Sequence, residues 1–151
     1  MRKRTRSREL ALQFLYQLDV SGEPFSGIAA EFWQEREDSL TLSEKEALED
    51  DKKDPDVRAY TERLVQGVCQ SGKELDLVIE RAADNWEIQR MAVVDRNVLR
   101  MATYEMLRTE DIPMKVAINE AVELAKRYGE EDSSKFVNGI LDKIAKNECK
   151  K

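Results

Sequence analysis

In segment after segment of this chain the apolar residues return at intervals of three and four, the spacing that lines one face of an α-helix. From Arg8 onward Ala11, Phe14, Leu15 and Leu18 follow it, Leu10, Leu12 and Tyr16 widen the apolar surface, and the helix is expected to end near Ser21-Gly22. Pro24 then suits the first turn of a second helix that buries Phe25, Ile28, Ala29, Phe32 and Trp33. Asp54-Pro55 is a helix start, an aspartate cap followed by proline at the first helical position, and Val57, Tyr60, Thr61, Leu64 and Val68 give its face. After Ser71-Gly72 a further helix is marked by Leu75, Val78, Ile79, Ala82 and Trp86. The second half is patterned more strongly. A helix over roughly residues 92–109 carries a wide face of Val94, Val98, Leu99, Met101, Ala102 and Met106, which places it near the centre, and Pro113 is expected to stop it. Ala117, Ala121, Leu124, Ala125 and Tyr128 line the next helix, which Gly129 is expected to end in a left-handed conformation. The last begins near Asp132 or Ser133 and carries Phe136, Val137, Ile140, Leu141 and Ile144 straight through Asn138-Gly139. A glycine inside a helix costs about 1 kcal/mol relative to alanine, so Gly139 is expected to mark the close approach of a neighbouring backbone.

Six glycines and three prolines leave few turn signals among 151 residues rich in good helix formers, and a hydrophobic share of 41% fills a real core. The fold class is therefore all-α, with six or seven helices on short connections forming two small bundles packed into one unit. The length fits a single domain over residues 1–151. Residues 37–56 depart from the pattern. They are acidic and poor in large apolar side chains, and read as a mobile acidic loop with room for a short helix around residues 44–49.

Function is narrowed first by what is missing. The chain has no histidine, which removes the usual acid or base near neutral pH and, with Cys69 and Cys149 far apart, any Cys/His metal cluster. The cysteines read as free cytosolic thiols. No apolar run of about 18 residues is present, and the amphipathic start is no signal peptide, so a cytoplasmic protein without a membrane partner is expected. No GxxxxGK[ST], GxGxxG or GxSxG motif occurs, and no carboxylate pair is spaced for glycoside hydrolysis. Binding is expected rather than catalysis, with no cofactor and no metal.

A net charge of −6 argues against nucleic acid, but its distribution does not. The opening MRKRTRSR holds Arg2, Lys3, Arg4, Arg6 and Arg8 and no acid. Arginine pairs with phosphate in a planar fork and stacks on exposed bases, although a solvated, frayed terminus explains the same charges equally well. Lys115, Lys126, Arg127 and Lys135 form a second basic group around the ends of the last two helices. Phe136, beside Lys135, is suited to stack on an unpaired base, while its periodicity favours a place in the core. Arg100 lies next to the apolar stripe of the central helix, where an interhelical pair with a glutamate would satisfy it.

Three stretches taken together, RSRELALQFLYQLD, VVDRNVLRMATYEML and DIPMKVAINEAVELAKRYGEEDSSKFVNGILDKIA, resemble the NusB family of transcription antitermination factors over residues 4–20 and 74–146. The resemblance implies an all-helical fold of two packed three-helix bundles and a role, without catalysis, in processive transcription of ribosomal RNA operons. It implies binding of boxA-type single-stranded RNA as a heterodimer with the ribosomal protein NusE. The wider assembly would hold RNA polymerase, NusA and NusG, with a homodimer open to the free protein. Arg4, Arg6 and Arg8 match the arginine-rich start associated with boxA contact. Asp132, Ser133, Lys135 and Phe136 match a D-S-x-K-F segment adjoining the RNA surface, which strengthens Phe136 as an RNA contact, and Lys115 is grouped with them. Tyr16 and Asp95 fall on the surface that implies NusE contact. Ser134 stands where relatives can carry a basic or histidine-like residue, Thr5 interrupts the arginine run, and residues 37–56 are longer and more acidic than the family leads one to expect. Two other readings stay open: a NusB-like domain serving rRNA methylation, for which 151 residues leave no room for a cofactor-binding region, and a protein–protein adaptor.

Overall fold

Helix-forming residues and well-placed terminators set the architecture, which a computed structural model describes for residues 2–22 and 41–148. The helix expected over Phe25 to Trp33, residues 37–40 of the acidic segment and Cys149 lie outside the described residues. Within them there are seven α-helices, one 3-10 turn and no strand: α1 (Lys3–Ser21), α2 (Leu42–Lys53), α3 (Pro55–Gln70), α4 (Gly72–Ala82), the turn Ile88–Arg90, α5 (Val93–Arg108), α6 (Met114–Tyr128) and α7 (Ser133–Glu148). This is the all-α class that the periodicity implied. The chain divides into two compact units, Met1–Gln66 and Gly67–Lys151, with α3 running from one into the other. No helix among the described residues is long and apolar enough to cross a membrane.

In the N-terminal unit α1 begins at Lys3, earlier than the apolar pattern suggested, so the basic residues are helical. Arginine is a good helix former, and Ser7 ties this first part down by donating its hydroxyl to the carbonyls of Lys3 (3.0 Å) and Val57 (2.9 Å). Thr61 on α3 donates to the Val57 carbonyl at 2.7 Å and lies within 3.4 Å of the Ser7 carbonyl, so a buried polar seam joins the two helices beside Leu10, Ala11 and Leu64. Gly22 ends α1 with φ 70°, its N–H donating to the Leu18 carbonyl, the left-handed cap that glycine adopts without strain. The acidic segment is helical from Leu42 to Lys53, well beyond the short helix expected around residues 44–49. Glutamate, alanine and lysine favour helix, and Lys52 and Lys53 complement the negative end of the helix dipole. Asp54 caps α3 as expected, its Oδ1 accepting from the backbone N–H of Asp56 (3.0 Å) and Val57 (3.3 Å).

In the C-terminal unit α5 packs against α4, α6 and α7, and α7 packs on both α4 and α6. Its wide buried face of Val98, Leu99, Met101 and Ala102 is why it lies at the centre. Arg100 is satisfied by an aspartate of α4: Nε and Nη2 donate to Asp76 at 2.8 and 3.1 Å, and Nη1 to Asn97 Oδ1 at 3.1 Å. The expected interhelical pair exists, with Asp76 in place of a glutamate. Pro113 does not end α5. That helix stops at Arg108, where Thr109 turns extended and its hydroxyl bonds to the Glu105 carbonyl, and Pro113 precedes the first turn of α6. Two glycine expectations also change. Gly129 is extended (φ −91°, ψ −171°), and glycine is needed there because a Cβ would sit 2.5 Å from Ser133 Oγ and 2.7 Å from the Ala125 carbonyl. Gly139 is exposed, and a Cβ would meet nothing within 4 Å among the described residues, so no backbone approaches it.

Candidate nucleic-acid interface

Because α1 is helical from Lys3, its cations are dealt to different sides. Arg4 and Arg8, four residues apart, share a face and both meet the ring of Tyr60 on α3, at 4.5 and 5.7 Å from the guanidinium carbon to the ring centre. Arg4 is exposed, whereas Arg8 is 3% exposed, so the direct RNA contact expected of Arg8 does not fit this position. The adjacent Glu9 and Leu10 are buried too, and this part of α1 runs through the core. Arg6 turns toward α2: Nε and Nη2 donate to Asp51 Oδ2 at 3.0 and 2.8 Å, and Nη1 to Glu9 at 3.3 Å. Burial works against the Arg6 charge, but Asp51 and then Glu9 more than offset it and hold the pKa above its ordinary value. Lys3 pairs with Asp56 (3.1 Å) and Asp54 (3.2 Å), which raise its pKa in the same way. The acidic segment thus touches the basic helix start directly. Tyr16, the expected partner contact on α1, is 43% exposed, as a docking tyrosine requires.

The second set of expected residues belongs to the C-terminal unit. After α4, Asp84 and Asn85 both take left-handed φ values of 55° and 65°, a conformation these two residue types tolerate best after glycine. Glu80 supports the reversal: its carbonyl accepts from Asn85 N–H at 2.7 Å and its carboxylate from Ile88 N–H at 2.8 Å. The turn carries Trp86 out of the helical face predicted for it and sets it edge-on against Phe136, with ring centres 5.1 Å apart at 76°. Phe136 is therefore neither a free stacking ring nor a closed core residue. Half-buried, it lines a hollow of about 460 Å³ together with Trp86, Arg90, Asp95 and Asp132.

Asp95 is the most telling group there. It is 8% exposed, it lines the hollow, and its Oδ1 has no hydrogen-bond partner among the described residues. A buried acceptor left unpaired costs about 1–3 kcal/mol, which an incoming donor would recover. Ser133 has a different job from the one expected. It is buried, its hydroxyl accepts the Glu130 N–H at 2.9 Å, and it holds the α6–α7 connection closed against Gly129. Asp132, Lys135 and Lys115 are exposed, Asp132 and Lys135 on the connection and first turn leading into α7 and Lys115 in the first turn of α6. Among the described residues no three Asp, Glu or Cys side chains converge as a metal ion would need.

The profile of the NusB family matches residues 5–146. The chain belongs to the NusB family. Within that family it is 50% identical over 143 residues to the transcription antitermination protein NusB of Anaeromyxobacter sp. (strain Fw109-5), covering 95% of this chain and 90% of that one. To NusB of Myxococcus xanthus (strain DK1622) it is 43% identical over 145 residues, 96% of either chain. Among solved structures it is similar to T. maritima NusB, with 37% identity and a TM-score of 0.76 over 97% of this chain and 93% of that one. It is also similar to a chain from the complex of the antitermination factors NusB and NusE with double-stranded RNA, with 29% identity and a TM-score of 0.75 over 97% and 98%. Sequence reasoning missed three side chains that this NusB-family fold sets beside the expected ones: Tyr60, Arg63, whose guanidinium carbon lies 5.6 Å from the Tyr60 ring centre, and Trp86. Tyr60 and Trp86 were visible only as apolar positions. The one available signal for Arg63 was its i,i+3 spacing from Tyr60, which puts both on one side of α3.

Proposed function

We propose that this chain is a transcription antitermination factor that binds boxA-type single-stranded RNA together with NusE and supports processive transcription of ribosomal RNA operons. The observation that carries the reading is the likeness to a chain of the complex of NusB and NusE with double-stranded RNA, extending over 97% of this chain; single-strand recognition is what the resemblance to the family adds. Two local features support it. Arg4 and Arg6 present the basic start of α1, with Asp51 occupying Arg6 until phosphate displaces it. Phe136 and Asp95 line one hollow, so a stacked base and a partner's hydrogen-bond donor would meet there side by side. Lys115, Asp132 and Lys135 flank the RNA path in this reading, while Ser133 and Arg8 act through the positions of their neighbours. Tyr16 and Asp95 contact NusE. Work within an RNA polymerase complex with NusA and NusG, a cytoplasmic location, the absence of a catalytic step and a homodimeric free form belong to the same proposal.

The test is a titration of labelled boxA RNA with the full chain, with and without its cognate NusE. NusE is expected to tighten binding by at least about tenfold, since joined contacts raise effective concentration. Affinity should fall steeply with salt as phosphate contacts release counterions. No gain on adding NusE sinks the heterodimer mechanism, and equal affinity for a duplex of the same sequence sinks single-strand recognition.

A further inference from the structure

We infer that Tyr60 on α3 holds Arg4 and Arg63 as a paired guanidinium platform that receives one nucleotide of single-stranded RNA, the base against Arg4 and the phosphate on Arg63. The inference rests on the RNA-binding reading and extends it from α1 to α3. Arg4 and Arg63 approach the Tyr60 ring to 4.5 and 5.6 Å, and Arg8 adds a third guanidinium at 5.7 Å from the buried side. Like charges gathered this closely repel, and the negative face of the aromatic ring offsets part of that repulsion. Tyr60 itself is only 6% exposed, so its ring is closed to a base and acts by positioning. Arg4 and Arg63 are both exposed.

A hollow of about 430 Å³ opens beside them, lined by Lys3, Arg4, Asp56, Ala59, Tyr60 and Arg63. Its chemistry suits a nucleotide better than an acidic peptide. A guanidinium lying over a ring is planar and partly desolvated, a surface on which a base stacks, and the small Ala59 leaves room for it. Arg63 offers the fork that matches phosphate oxygens. Asp56, the acidic lining group, is held 3.1 Å from Lys3, which offsets its charge.

The experiment is a fluorescence-anisotropy titration of a labelled boxA RNA with the full chain across a salt series. Arg63→Gln, at an exposed position, is expected to weaken binding about three- to tenfold and to lower the salt slope by about 0.7, the share of one phosphate on a single strand. Arg4→Lys keeps the charge and loses the plane, so it should weaken binding to RNA but not to an abasic strand of the same length. Tyr60→Phe should retain wild-type affinity and Tyr60→Leu should lose it; should Tyr60→Leu fail to fold, the two arginine variants still decide. If wild type binds RNA while Arg63→Gln matches it in affinity and slope, the platform is overturned and the RNA reading stands. An equal loss on the abasic strand for Arg4→Lys overturns the stacked base. Absence of RNA binding by wild type, with and without NusE, overturns both readings together.

Discussion

In the proposed RNA-binding role, Arg6 meets phosphate in competition with Asp51. The pair is two-pronged and half-buried, so it is worth more than an exposed ion pair and would compete with an incoming phosphate. Asp51→Asn is expected to tighten boxA RNA binding by about three- to tenfold at low salt, the gain shrinking as salt screens the same contact, and a titration at two ionic strengths measures it. Cys69 illustrates the opposite case, a residue whose chemistry is suppressed. Although Cys69 is exposed at the end of α3, partial desolvation pushes its thiol up to about 11, with Arg100 pulling the other way, so the nucleophilic thiolate is scarce at neutral pH. In a Cys149→Ser background, iodoacetamide should modify Cys69 in the folded protein at least about tenfold more slowly than a free thiol at pH 8. The rate should climb toward pH 11; a midpoint near 9 would contradict the shift. The presence of these two residues was plain in the sequence, but not their state, because Asp51 lies 45 positions from Arg6 and burial is a property of packing.

Helix ends and helix glycines are where local rules succeed or mislead. Asp54-Pro55 and Gly22 do what capping chemistry predicts, since those conformations are decided within a turn of chain. Gly129 takes the close approach expected of Gly139, which itself faces open space, because a glycine chosen for close approach cannot be told from one chosen for nothing without knowing what stands opposite. The consequence is measurable. Gly139→Ala should stabilise the protein by about 1 kcal/mol, as helix propensity alone dictates at an open site, and raise the melting temperature by a few degrees. Gly129→Ala should destabilise it, since the new methyl meets the Ala125 carbonyl and the Ser133 side chain; thermal melts of the two variants should move in opposite directions. The acidic segment is the same lesson at greater length. Its composition suggested a loop because it lacks an apolar stripe, yet α2 is held by Asp51 against α1, a contact no periodicity reveals.

At the scale of the molecule, the RNA binding proposed for a chain of net charge −6 depends on where its cations are concentrated rather than on its total charge. Part of that concentration is muted by its own acids, at Lys3 and Arg6, so affinity from this chain alone should be modest and a partner's contribution large. Asp95 is the point at which that coupling is open to test. Asp95→Ala removes the carboxylate whose Oδ1 has no hydrogen-bond partner among the described residues, so it is expected to reduce the gain in RNA affinity on adding NusE by about tenfold or more. RNA binding by the chain alone should stay within about twofold. An undiminished NusE effect would place the partner elsewhere.

What the sequence by itself determined is what depends on neighbours in the chain: the helical class, most helix boundaries, the caps, the basic start and the family signature carried by three blocks of residues. Only the tertiary structure decided which of those cations face outward and which are held, that Trp86 leaves its helix to meet Phe136, and that one Asp95 oxygen beside them has no partner among the described residues. The physical reason is range. Propensity and periodicity act across one or two turns, whereas an ion pair, a ring contact or an orphaned acceptor depends on atoms that only the packed chain brings within a few ångströms.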